Sequence, residues 1–170
     1  AAGSGATGII IGDLSSNTAT NNRCVIKNCN FENLTYPINY YPLSASALVS
    51  PDSTSQQYSL IEVSQCTFLN TFGTVLSGQS NGTLNRGPGA LSAGDALSTW
   101  VVDAFIYNNN VHDNCSNAVG TTVQISGAEV IANNNVFDGQ NRTASQNVLH
   151  VIGGARNAEI CGNKFHRLES

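Results

Sequence analysis

A short pattern occurs five times along this chain, and a repeat of this kind restricts the fold more than any other feature of a sequence. The segment Ile106-Tyr107-Asn108-Asn109-Asn110-Val111-His112-Asp113 returns 25 residues later as Ile131-Ala132-Asn133-Asn134-Asn135-Val136-Phe137-Asp138. Looser copies read Ile26-Lys27-Asn28-Cys29-Asn30-Phe31-Glu32, Val63-Ser64-Gln65-Cys66-Thr67-Phe68-Leu69 and Ile160-Cys161-Gly162-Asn163-Lys164-Phe165-His166.

Aligned on an aromatic anchor (Phe31, Phe68, His112, Phe137, Phe165), the copies share a register. Five residues before it stand Ile26, Val63, Tyr107, Ala132 and Ile160, and seven before it Cys24, Ile61, Phe105, Val130 and Ala158. This is a period of two, the mark of a strand with one buried face. Two residues before the anchor come Cys29, Cys66, Asn110, Asn135 and Asn163. A row of Asn there predicts an internal ladder, each amide bonded to its copy in the next repeat. Cys29 and Cys66 share that row, where stacked thiols filling the core are the simplest account and a disulfide the alternative.

The anchors are spaced by 37, 44, 25 and 28 residues, so the unit is about 25 residues with two insertions. A second strand per unit fits 73–76, 118–125 and 146–152. Between strands no helical periodicity is found, so the links are turns. The expected fold is all-β, a right-handed parallel β-helix of about five to six coils; the hand follows from the rule for parallel connections. At about 4.8 Å per coil the rod would be roughly 30 Å long. Residues 1–170 form one such segment. The absence of Met suggests a fragment of a longer protein.

Composition agrees. Charged residues make up 11% of the chain, too few for the solvent faces of a helical bundle. Asn alone occurs 22 times. The net charge of −4 offers no footprint for nucleic acid, and no apolar run approaches the roughly 20 residues that span a bilayer. The five cysteines lack zinc-like spacing, so neither a metal nor another cofactor is expected.

With its Asn-Asn-x-Phe turns, the pattern from about Gly8 to Phe165 resembles the pectate-lyase-like superfamily of right-handed β-helices, which includes phage tailspikes, polysaccharide lyases and surface adhesins. The resemblance implies a protein at a virion surface or outside the cell. Such a protein would bind, and in an enzymatic form depolymerise, a polysaccharide, as a homotrimer or as part of a longer chain. A monomeric lyase or glycosidase domain and a non-enzymatic adhesive segment remain as alternatives. Lyases of this group use an Arg or Lys base, and no two basic residues here fall at matching positions beside an acidic cluster.

The candidate catalytic pair is Asp113 and Asp138, each directly after its anchor on successive coils. Their Cα atoms would lie about 5 Å apart, a spacing that suits glycoside hydrolysis by acid and nucleophile and should raise one of the two pKa values. An Asp at a strand end also caps turns for backbone reasons alone. The long insertions, 36–58 and 77–99, carry aromatic residues suited to stacking on sugars: Tyr36, Tyr40 and Tyr41, with Trp100 directly after the second. Among the outward positions, Ile106 and Ile131 stand side by side, six residues before their anchors, and call for a cover.

Overall fold

The computed structural model describes residues 7–11, 22–40, 58–71, 76–77, 102–114, 116–117, 123–125, 129–139, 141–142, 148–151 and 157–167. Among these there is no helix. Strand β1 (Thr7–Ile11) precedes a first set formed by β2 (Asn22–Lys27), β3 (Asn30–Glu32) and β4 (Tyr36–Tyr40). The next set is β5 (Tyr58–Ser64), β6 (Thr67–Leu69) and β7 (Leu76–Ser77). The third is β8 (Val102–Asn108), β9 (Val111–Asp113), β10 (Ser116–Asn117) and β11 (Val123–Ile125). The fourth is β12 (Glu129–Ile131), β13 (Val136–Asp138), β14 (Asn141–Arg142) and β15 (Leu149–Val151), and β16 (Asn157–Glu159) and β17 (Lys164–His166) follow.

Equivalent strands of successive sets pair in parallel. One five-stranded sheet runs β2-β5-β8-β12-β16, a second β3-β6-β9-β13-β17 and a third β1-β4-β7-β11-β15, while β10 and β14 form a small ladder. The chain visits the three large sheets in the same order each time. This is a stack of parallel sheets, consistent with a solenoid.

The period-two positions Cys24 and Ile26, Ile61 and Val63, and Phe105 and Tyr107 lie within β2, β5 and β8, in one sheet and in the order of the repeat. In the last two copies the strands end sooner, β12 at Ile131 and β16 at Glu159, short of the second inward positions Ala132 and Ile160. The anchor belongs to a strand of its own. Three residues before it the backbone turns left-handed, at Asn28, Gln65, Asn109, Asn134 and Gly162, with φ between 55° and 66°. The inward positions therefore step by three across this corner, from Val63 to Cys66, Tyr107 to Asn110 and Ala132 to Asn135. A second left-handed corner follows two residues after the anchor, at Asn33, Asn70, Asn114, Gly139 and Arg167. Asn and Gly tolerate this region, where most L-residues pay about 1–2 kcal/mol.

Between the corners the anchors point inward and stack. Ring centroids are 5.0 Å apart for Phe31–Phe68, 4.7 Å for Phe68–His112, 4.5 Å for His112–Phe137 and 5.2 Å for Phe137–Phe165. His112 is fully buried in this column. Its Nε2 meets the Tyr107 hydroxyl at 2.8 Å, and its Nδ1 has no hydrogen-bond partner. An unpaired lone pair costs less than an unpaired N–H, so the proton belongs on Nε2, donated to the Tyr107 oxygen.

Beside the aromatic column runs the asparagine ladder. The Oδ1 atoms of Asn110, Asn135 and Asn163 accept the backbone N–H of Cys66, Asn110 and Asn135 at 3.0, 3.0 and 2.9 Å. Their Nδ2 groups donate to the carbonyls of Val63, Tyr107 and Ala132 at 3.0, 2.8 and 2.7 Å. Each amide thus binds the preceding repeat twice, at equivalent places. A second row at Asn108 and Asn133 runs with the opposite polarity: their Oδ1 atoms accept the N–H of Asn133 and Cys161, both at 2.8 Å.

One expectation needs correction. Residues 36–40, read as the start of a loop, form β4, paired with β1 from Thr7↔Tyr36 to Ile11↔Tyr40. On the Glu62 side of β5, Ser64 is buried, with its hydroxyl donating to Glu62 Oε1 at 3.1 Å.

Candidate functional site

The sheet of anchor strands has an outer face, because residues flanking an inward anchor must point outward. The row after the anchors holds Glu32, Leu69, Asp113, Asp138 and His166, aligned by the register of β3, β6, β9, β13 and β17. Asp113 and Asp138 are direct neighbours in it, as the repeat requires, and both are half-buried. Parallel strands place such neighbours about 4.8 Å apart.

The electrostatics of the pair differ from expectation. Arg167 lies at the left-handed corner that closes β17, and its Nε donates to Asp138 Oδ1 at 2.7 Å. The hydrogen bond from this guanidinium, with the backbone N–H of Gly139 helping, holds the Asp138 carboxyl below the usual range. Asp138 is therefore ionised and does not supply the protonated member of an acid pair. The expectation of mutual repulsion left out the cation, since Arg167 is 29 residues away in sequence and stands in a corner row where the other copies have Asn or Gly.

Arg167 also changes the picture of the basic residues. β17 brings Lys164 opposite Val136 and His166 opposite Asp138, so the acidic pair ends at a strand carrying exposed Lys164, His166 and Arg167. The signal for this was in the sequence. The fifth copy of the motif ends Lys-Phe-His-Arg, and its register sets those side chains against the fourth copy.

On the β2 sheet, Lys27 Nζ and Glu62 Oε1 form an ion pair at 2.8 Å, and the Lys27 contact holds the Glu62 carboxyl below its ordinary value. Ile106 and Ile131 are neighbours in register and half-buried. Tyr36 and Tyr40 sit on β4, whereas Tyr41 and Trp100 lie outside the described residues. Among the described residues, no group of three or more His, Cys, Asp or Glu could hold a metal ion. No protein-family model matches this chain, and neither a curated protein nor a solved structure shows significant similarity to it.

Proposed function

We propose that the chain is a segment of a right-handed parallel β-helix of the pectate-lyase-like kind, which binds and depolymerises an extracellular or cell-surface polysaccharide on the outer face of its anchor strands. Its setting would be that of a tailspike, a trimer at a virion surface or a longer chain. The observation that carries the reading is the alignment of Asp113 with Asp138 on an outward strand face, with Arg167 bonded to Asp138. A stack of equivalent strands is a repeating receptor, which suits a repeating ligand. Asp138, kept ionised, is the nucleophile, and Asp113 beside it is the second carboxyl of the pair. Neighbours about 4.8 Å apart match the separation of about 5 Å used by retaining glycosidases.

The test is release of sugar ends from a panel of bacterial surface polysaccharides by the parent chain and by Asp113→Asn and Asp138→Asn. The parent should release reducing ends, and each variant should lose at least about a hundredfold. Unsaturated ends in their place would assign a lyase. Binding without cleavage would assign an adhesive segment. Full activity in both variants would remove the pair from the chemistry.

A further inference from the structure

We infer that Cys29 and Cys66 are an oxidisable pair, a thiol–disulfide couple that clamps the β2–β3 repeat to the β5–β6 repeat where the internal ladder has cysteines in place of asparagines. Both belong to the row that elsewhere holds Asn110, Asn135 and Asn163. Pairing on either side of them is in register, Lys27↔Ser64 before and Asn30↔Thr67 after, so the two cysteines lie opposite each other. The backbone between them is tied by Thr67 N–H donating to the Cys29 carbonyl at 2.9 Å. Adjacent parallel strands are about 4.8 Å apart, inside the range of Cα separations that disulfides span.

The thiols also point alike. Cys29 Sγ donates to the Lys27 carbonyl at 3.2 Å and Cys66 Sγ to the Ser64 carbonyl at 3.3 Å, in each case two residues back. Cys66 Sγ further lies 3.7 Å from the Ile26 carbonyl, the same neighbour that an Asn amide meets in the other steps of the ladder. A thiol is a weak donor, so this step is held less firmly than those made by amides. A covalent bond here would restore what the missing amide provides elsewhere.

Both cysteines are free in the structure. Cys29 is half-buried and Cys66 buried, which sets the order of events. The Cys29 thiolate attacks one sulfur of a small-molecule disulfide and expels a thiolate, leaving a mixed disulfide. Cys66 then gives up its proton, and its thiolate attacks the Cys29 sulfur and expels the second thiolate. Two protein thiols are thereby oxidised by two electrons, and the reagent is reduced to two thiols. Burial pushes the Cys66 thiol up, so the second step is the slow one.

The experiment uses the folded chain incubated with oxidised glutathione. Thiol titration should then find two of the five cysteines consumed, and a non-reducing peptide map should join the peptides of Cys29 and Cys66. The thermal midpoint should rise on oxidation and return on addition of dithiothreitol, and Cys29→Ser should abolish both the link and the shift. Five thiols still titratable after incubation would overturn the proposal, as would glutathione retained on Cys29 or a link from Cys66 to another cysteine. A correct link without a rise in midpoint would overturn the clamp.

Discussion

Asn135 holds its neighbour Asn110 through one atom: its Oδ1 accepts the backbone N–H of Asn110 at 3.0 Å and the Asn110 side-chain amide at 3.1 Å. Its own Nδ2 donates to the Tyr107 carbonyl at 2.8 Å. Replacing Asn135 by Leu strands these groups in a buried site. With about 1–3 kcal/mol for each buried group left unpaired, the loss should be on the order of 3 kcal/mol. Chemical denaturation of Asn135→Leu measures it, and an unchanged midpoint would count against the ladder.

His112 should make stability depend on acid. Burial lowers its pKa from 6.5 to about 3. Between those values the unfolded chain binds a proton that the folded chain does not, so the folding free energy is lost as pH falls, at about 1.4 kcal/mol per unit. His112→Phe continues the ring column, removes the orphaned Nδ1 and takes one partner from the Tyr107 hydroxyl. The variant should lie near the parent at pH 7 and become progressively more stable than it as the solution is acidified from about pH 6 to about pH 4. Parallel pH profiles of unfolding for the two proteins would show this, and equal slopes would refute a buried neutral imidazole.

The corners give a prediction of opposite signs. A Cβ on Gly162, at φ 66°, would overlap Asn134 Oδ1, so Gly162→Ala should destabilise by at least about 1 kcal/mol. Gln65 occupies the same corner two repeats before Asn134, at φ 57°. Gln65→Asn should gain a few tenths of a kcal/mol, since Asn tolerates this region better. Thermal midpoints of the two variants decide both.

These corners also show how far the sequence could be read. The inward register of Phe31, Phe68, His112, Phe137 and Phe165 was legible because burial imposes a period of two on side chains. The left-handed turn three residues earlier was marked only by the step of three from inward Tyr107 to inward Asn110, an interruption of the period that does not give the corner's handedness. In the candidate site the alignment of Asp113 with Asp138 was legible from the repeat. The register of the fifth copy also sets Arg167 beside the fourth, but its bond to Asp138 was not legible, because that depends on how a long side chain folds back from a corner.

Asp138 should titrate low because of one neighbour. The Arg167 hydrogen bond leads the causes that lower its pKa from the ordinary 3.8, so the stabilisation is present above that value and is lost as pH falls below it. In Arg167→Gln the carboxyl should move back up toward the ordinary value. Carboxyl carbon shifts followed by NMR across an acid titration give both numbers, and an unmoved Asp138 would dissolve the pairing.

The stacked repeat underlies the site, the ladder and the cysteine pair alike, and its most direct test is proximity along the column of anchor rings. Nuclear Overhauser effects between ring protons should link Phe31 to Phe68, Phe68 to His112, His112 to Phe137 and Phe137 to Phe165. None should skip a member, and Phe68 should show none with Phe137. Effects that join rings out of this order would contradict the account. So would a strong effect between the α protons of Val63 and Tyr107, which face each other closely only across antiparallel strands.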